Sequence, residues 1–583
     1  MAIVNGTRRP ENCGPSCSCA GHAVRDGMDN PALLKQRRSR HAQRDLLVLA
    51  VLLVIGPVIA QAAPPKVDYL FPAGAIRGST TTVTAGGTIG NWPVQVWCDR
   101  SDLNIAAAGD KGKLTVTIPA EAPPGVAWIR LYDAEGAAAL RPFIVGLIPE
   151  VIEVDPNNEP AKSQAIEGLP VTVNGRFEQA GDVDVFAVSL KQGQTLIASM
   201  EAHRTLESPL DGVLQIVSPA GFILEHNDDD HGLDPQIAFQ VPADGTYLVR
   251  AMAFPATPDS SIRLAGGANY VYRLTLATSG FVDHLWPMAV AGTESSEARI
   301  IGWNIPEAAL RLPIPEPAGR PSVTPFAPGL VNFITIPVES HPTVAEIQPA
   351  GAREPQDVAP PVTITGRLEE PREIDAYRVT LKKGEVLHID PTAREIGSPL
   401  DPVLKVIDGT GKVLAQVDDV QEKRDGELTF TAPADGAYLV TIGDLNRRGG
   451  WRFIYRLTLT HPHPDFEVSV AADNFVFTPG KPLEIPVTIA RTKDFAEEIE
   501  IAIGGLPAGA TAAPVKSEAK GDSAKSVKMM VTGMPEPASG LVHVMATAKG
   551  ESKLTHQALG AIAGMKARTV DLWFTVAAPP AQK

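Results

Sequence analysis

The chain has 583 residues, 44% of them apolar, and a formal net charge of −15. That length is too great for one hydrophobic core and implies about four to six domains of ordinary size. The apolar share excludes a disordered polymer, and the acidic balance excludes a nucleic-acid binder, which needs clustered positive charge.

From the N-terminus, Lys35, Arg37, Arg38, Arg40 and Arg44 precede an apolar run from Leu46 to Ala60, and Ala60-Gln61-Ala62 follows. A basic stretch, a short apolar run and a small-x-small tripeptide read as an export signal over 1–62. The run is about 15 residues against the roughly 20 of a bilayer span, so an uncleaved membrane anchor is the alternative. A start at Met28 would leave an ordinary signal. Cys13, Cys17 and Cys19 precede Met28, and Cys98 stands alone afterwards, so no disulfide framework forms within one molecule. Cys98 follows Trp97 in an apolar alternation and reads as a small buried hydrophobe. The expected location is periplasmic, cell-surface or extracellular.

The 52 prolines and 51 glycines are spread between apolar runs, as many short strands joined by turns require. Over 66–147, Thr80 to Thr84, Leu114 to Ile118 and Ala127 to Tyr132 predict strands of a small Ig-like sandwich. Over 150–278, Asp184 to Leu190 and Thr195 to Met200 flank Lys191-Gln192-Gly193-Gln194 and predict a hairpin. Val213 to Val217 and Phe222 to Leu224, around Pro219-Ala220-Gly221, predict a second. A third turn, Pro242-Ala243-Asp244-Gly245, separates two further strands, so this region reads as an antiparallel jelly-roll-like sandwich.

This region then recurs. Val171-Thr172-Val173-Asn174-Gly175-Arg176 returns as Val362-Thr363-Ile364-Thr365-Gly366-Arg367, and Ser208-Pro209-Leu210-Asp211 returns as Ser398-Pro399-Leu400-Asp401. Tyr272-Arg273-Leu274-Thr275-Leu276 likewise matches Tyr455-Arg456-Leu457-Thr458-Leu459, which places a second copy at 346–460. Val67-Asp68-Tyr69-Leu70-Phe71-Pro72 resembles Val282-Asp283-His284-Leu285-Trp286-Pro287, so 280–345 reads as a second, partly irregular Ig-like segment. His461-Pro462-His463-Pro464 reads as a stiff junction. Alternation in 465–577 predicts a last Ig-like domain, with an exposed flexible loop between Ala508 and Lys528. The predicted class is all-β: tandem antiparallel β-sandwiches, with jelly-roll-like modules alternating with Ig-like domains.

The repeated regions resemble the bacterial pre-peptidase C-terminal (PPC) domain. The likeness rests on Asp184-Val185-Phe186, the Lys191 to Gln194 turn, Ser208 to Asp211, Asn227 to Asp230, Ala243 to Tyr247 and Tyr272-Arg273-Leu274, in that order and in two copies. The alternating arrangement looks like large exported proteins of planctomycete bacteria. The resemblance implies export, together with binding or association with a peptidase. It does not imply proteolysis by this chain.

Hard cations want several oxygen ligands. Glu153, Asp155, Asn157 and Asn158 at the first module's entrance, with Asp228, Asp229 and Asp230 from a later loop, form a candidate Ca²⁺ site; the alternative is a solvated acidic turn. The collagen-binding domains that the family resembles bind calcium near that entrance. In the second copy Gln348, Ala350 and Gly351 replace Asp155, Asn157 and Asn158, so its site is expected to be lost or weak. Asp184, Asp375, Asp211 and Asp401 recur in both copies and read as caps of turn or strand-end N–H groups. No zinc-protease helix or nucleophile elbow occurs. The sequence therefore points to a non-catalytic binding scaffold for an extracellular protein or polysaccharide; the alternatives are a peptidase accessory that binds substrate and a peptidase-related hydrolase with an unrecognised active site.

Overall fold

Alternation sets the layers. Leu483–Thr492 buries Ile485, Val487 and Ile489 and exposes Glu484, Pro486 and Thr488, so one side of the strand must meet a second apolar layer. The computed structural model describes residues 63–258, 263–292, 297–317, 319–347, 354–420 and 425–577; the expected signal segment and Gln348, Ala350 and Gly351 lie outside them. Among the described residues the strands form ten sheets, and five apolar cores each draw on two of them. The chain is all-β, as its alternation predicts. No helix among these residues is long and apolar enough to cross a membrane.

In the first sandwich, Lys66–Phe71, Thr80–Thr88, Lys113–Thr117 and Asn104–Ala107 face Gly74–Ile76, Arg141–Gly146, Gly125–Asp133 and Gln95–Cys98. Val83, Leu114, Val116, Ala127 and Phe143 are fully buried between them. Cys98 is only half-buried at the edge of this core, where burial pushes its thiol up to about 12.

The second sandwich, or first module, has one sheet in the order Glu150–Ile152, Val171–Arg176, Val271–Ala277, Thr195–Glu201, Gln236–Gln240. Its other sheet runs Gln164–Ile166, Asp184–Leu190, Gly245–Pro255, Leu210–Val217, Ile223–Asn227. The second module repeats this order strand for strand, from Thr343–Ala345 through Val362–Arg367 and from Gln356–Asp357 through Ile374–Leu381. Its first strand thus begins before residue 346. Gly175 pairs with Tyr272 and Gly366 with Tyr455. Each tyrosine ring lies over the glycine, where an added Cβ would stand 2.1 or 2.2 Å from a ring carbon.

Three expectations need correction. Asp184–Leu190 and Thr195–Glu201 do not form a hairpin: they lie in opposite sheets, and Phe186, Val188, Leu190, Leu196, Ala198 and Met200 meet in one core from two sides. The turn chemistry is right, but the turn crosses the sandwich. The modules are also not purely antiparallel, because each of their sheets gains a parallel edge strand, such as Glu150–Ile152 on Val171–Arg176. Finally, 508–528 is not one loop. It contains the strands Ala510–Ala512 and Val515–Ser517 and the start of Ser526–Gly533, with Val527 and Met529 buried.

The third sandwich is a reduced version of the first. Phe281–Trp286 pairs with Glu297–Trp303 through the same irregularity, between Val282 and His284, that separates Val67 from Tyr69. Gly87 and Gly302 sit against these bulges, where a Cβ would lie about 2 Å from a carbonyl oxygen.

Buried polar contacts join distant parts of the chain. Arg130 of the first sandwich meets Asp473 of the last at 3.0 Å, with both side chains essentially inaccessible. Arg452 of the second module donates to both Asp230 oxygens at 2.9 and 2.8 Å, and through Nε to Asp283 at 2.7 Å. Its guanidinium also lies over the Trp303 ring. One side chain therefore ties both modules to the third sandwich.

Candidate metal centre

The first module's entrance gathers carboxylates where its two sheets meet. The parallel edge strand Glu150–Ile152 delivers Glu153, whose Oε2 accepts from the Arg176 backbone N at 2.7 Å. Asp184 opens its own strand and is fully buried, so its carboxyl points under this edge. Ligating oxygens of Glu153, Asp155 and Asp184 all lie within 4.8 Å of one another. Asp182 stands beside them, accepting from Glu178 N at 2.6 Å and from Asn158 Nδ2 at 2.7 Å.

Such a gathering raises proton affinities. Burial, and then Glu153, push Asp184 up to about 11, although Tyr272 Oη donates to it at 2.5 Å. Burial raises Glu153, and burial with the Asp182 and Glu178 charges raises Asp155. Two further oxygens, Asn157 Oδ1 and Asp184 Oδ1, are buried with no hydrogen-bond partner. Buried oxygens of this kind cost free energy unless something satisfies them, and a calcium-sized cation would. The donor set is all oxygen, which fits a hard dication.

The expected ligands thus divide. Glu153 and Asp155 converge; Asn157 stands beside them, its Nδ2 donating to Glu153 Oε1 at 3.3 Å and its Oδ1 buried without a partner. Asn158 instead binds Asp182. The later loop does not join them. Asp230 is taken by Arg452, and Asp228 and Asp229 act with burial to raise Asp211 to about 6. Asp184 and Asp182 are the residues that sequence reasoning missed here. Asp184 does not serve as the expected backbone cap: Tyr272 Oη donates to its Oδ2, and the Glu153 carboxyl beside it raises its proton affinity. The usable signal was that Asp184 recurs together with Tyr272 as Asp375 does with Tyr455, although their strands lie in opposite sheets.

The second module keeps the frame and changes the chemistry. Tyr455 Oη donates to Asp375 at 2.6 Å, and Glu346 Oε2 accepts from Arg367 N at 2.9 Å, as in the first copy. Tyr377 replaces Phe186, and its hydroxyl lies 2.6 Å from that of Tyr455. Burial and Glu346 push Asp375 up to about 9. Asp375 Oδ1, like Asp184 Oδ1, is buried without a hydrogen-bond partner, and the second copy differs by the added Tyr377 hydroxyl.

Asp401 is likewise no backbone cap: its carboxylate pairs with Arg394 at 2.7 Å. His231 lies 3.5 Å from Asp230, both of whose oxygens accept from Arg452. Gly521-Asp522-Ser523 forms a single tight turn, with Ser523 Oγ accepting from Glu518 N at 3.0 Å.

No family model matches the chain. A probable subtilase-type serine protease of Deinococcus radiodurans is 33% identical over 139 residues, 24% of this chain and 18% of the protease. The chain therefore spans under a fifth of that relative's length. Among solved structures, a periplasmic inhibitor of g-type lysozyme from Aeromonas hydrophila aligns with 22% of this chain and 97% of its own, at 14% identity and a TM-score of 0.15. Alpha-2-macroglobulin from Escherichia coli aligns with 87% of this chain and 48% of its own, at 9% identity and a TM-score of 0.15.

Proposed function

We propose that this chain is an exported, non-catalytic scaffold that holds an extracellular protein or polysaccharide, built on two modules of the pre-peptidase C-terminal type. The observation that carries this reading is the duplication. Two sandwiches share one strand order and one buried Tyr-Asp-Glu cluster, while Arg452 of the second ties both to the third sandwich through Asp230 and Asp283. A rigid body of repeated sandwiches presents loops at fixed spacing, which suits holding more than turnover. The proposed calcium ion belongs to this architecture. Glu153, Asp155, Asn157 and Asp184 would hold it, supplying the charge that lets the module entrance close on its carboxylates.

The test is a panel of casein, collagen and polysaccharides offered to the purified chain. Retention without turnover supports the scaffold. Turnover abolished by one alanine substitution would replace it with a hydrolase. A second reading, an accessory that binds substrate for a separately encoded peptidase, draws on the likeness to the Deinococcus protease. It predicts that adding such a peptidase accelerates cleavage of the retained protein.

A further inference from the structure

The second module carries a trio that the first lacks. His388 and Asp390 alternate along Val386–Thr392, and the intervening Leu387 and Ile389 fill the core, so the pair stands on the outer face of the sheet. Ile389 pairs with Leu428, which places Glu427, one residue before the neighbouring strand, beside Asp390. One ligating atom from each of the three lies within 4.8 Å of the others. His388 Nδ1 lies 3.2 Å from Thr429 Oγ1. A contact of this kind orients an imidazole and directs its other nitrogen, as the partners of metal-bound histidines do.

Comparison of the copies is independent of that geometry. By strand register the first module has Ile197, Ser199 and Gln236 at these places. Ile197 is fully buried and packs with Ile148, Phe281 and Val331. The second copy has exchanged a covered apolar residue for an imidazole and two neutral polar residues for carboxylates, all three converging on one point. Solubility would be served by scattered charges. Convergence of His, Asp and Glu instead matches the donors of a borderline dication such as Zn²⁺, with a fourth position left for water on the exposed side. Calcium prefers an all-oxygen shell.

We propose that His388, Asp390 and Glu427 form a site for a zinc-class dication on the outer face of the second module. It stands apart from the calcium reading and from the scaffold function.

The test is calorimetric titration of the chelator-treated full chain with Zn²⁺, followed by the absorption spectrum of the Co²⁺ form. One zinc per chain is expected, with affinity falling at least about tenfold in His388→Ala and in the near-isosteric Asp390→Asn. His461→Ala and His463→Ala should bind as the parent does. The Co²⁺ spectrum should lack thiolate charge transfer, which separates this site from Cys13, Cys17 and Cys19. His388 and Asp390 lie outside the core, so each variant should fold, and metal-free melting measured beside the titration separates lost ligation from lost stability. Undiminished zinc affinity in His388→Ala and Asp390→Asn, or a cobalt complex showing only thiolate ligation, would overturn the assignment.

Discussion

Asp473→Ala tests the joint between the first and last sandwiches. Arg130 is wholly buried there: Nη1 donates to Ala138 O at 2.9 Å, Nη2 to Asp571 O at 3.1 Å, and the Asp473 carboxylate lies 3.0 Å from Nη2. The Trp573 ring lies beneath the guanidinium and also contacts Tyr132. Burial already lowers the proton affinity of Arg130, and Asp473 is the leading opposing influence. Removing the aspartate leaves a charge in low dielectric with two carbonyls as its remaining acceptors. Breaking one side of such a pair costs about 3–5 kcal/mol; the retained carbonyl bonds favour the lower end, about 3 kcal/mol. Undocking of the two sandwiches would return Arg130 to water and escape the penalty. The variant should therefore show an early transition in urea, faster proteolysis near residues 138 and 571, and a larger radius of gyration by X-ray scattering. The double variant Arg130→Met with Asp473→Leu should recover most of the loss, because a buried pair is worth little against an apolar replacement. An Asp473→Ala chain that unfolds at the parent midpoint, with unchanged scattering, would refute this reasoning.

Calcium should raise the melting temperature of the parent at pH 7.5 and should not do so in Asp155→Asn; at about 100 times the dissociation constant the gain is about 2.7 kcal/mol. Asp184 is raised above its unfolded value of 3.8 to about 11, so the metal-free module is best stabilised in acid and loses stability as pH rises through that window. The calcium-induced gain should therefore shrink toward pH 5, where the proton competes, and a gain independent of pH would contradict the site. Tyr377→Phe should cost the second module about 1 kcal/mol, read by denaturant midpoint, since it removes one buried hydroxyl pair. Gly366→Ala should cost at least about 1–3 kcal/mol, because its methyl would overlap the Tyr455 ring. Replacement of Gly384 by alanine, where nothing lies within 4 Å, should cost only the strain of its φ of +83°.

The repeat was legible because its landmarks are architectural. Gly175 and Tyr272 are paired across strands, and the same pairing forces the same residues in the second copy. Local pattern could not show which sheet a strand joins. Asp184–Leu190 and Thr195–Glu201 both carry inward apolar faces, and that pattern is identical for a hairpin and for an arch over the core. The strands in 508–528 were hidden by their length, three residues for Ala510–Ala512, and by alanine and lysine, which have weak strand preference. At the metal centre, neighbours along the entrance segment were visible. Asp184 was not, because its partnership with Glu153 depends on a parallel edge pairing that no short-range signal encodes. The grouping of Asp228 to Asp230 with that entrance followed charge alone, whereas the fold places Asp230 under Arg452.

The divergence of the two copies gives the strongest argument about what each residue is for. Residues kept in both, the Tyr–Asp pair and the glutamate that accepts from an arginine N–H, must serve what the copies share, namely closure of the module's entrance. Residues that differ mark separate uses. Phe186 against Tyr377 decides whether one hydroxyl or two stand beside the buried acid. Ile197 against His388 decides whether the outer face is covered by a neighbouring sandwich or carries converging donors. Reciprocal exchange separates these uses from mere drift. Phe186→Tyr should lower calcium affinity while the fold survives, and Tyr377→Phe should not create calcium binding, because the sequence has Gln348 and Ala350 where the first copy has Asp155 and Asn157. Calcium binding gained by the second substitution alone would mean that the shared acid pair suffices, and the division of labour between the copies would fail.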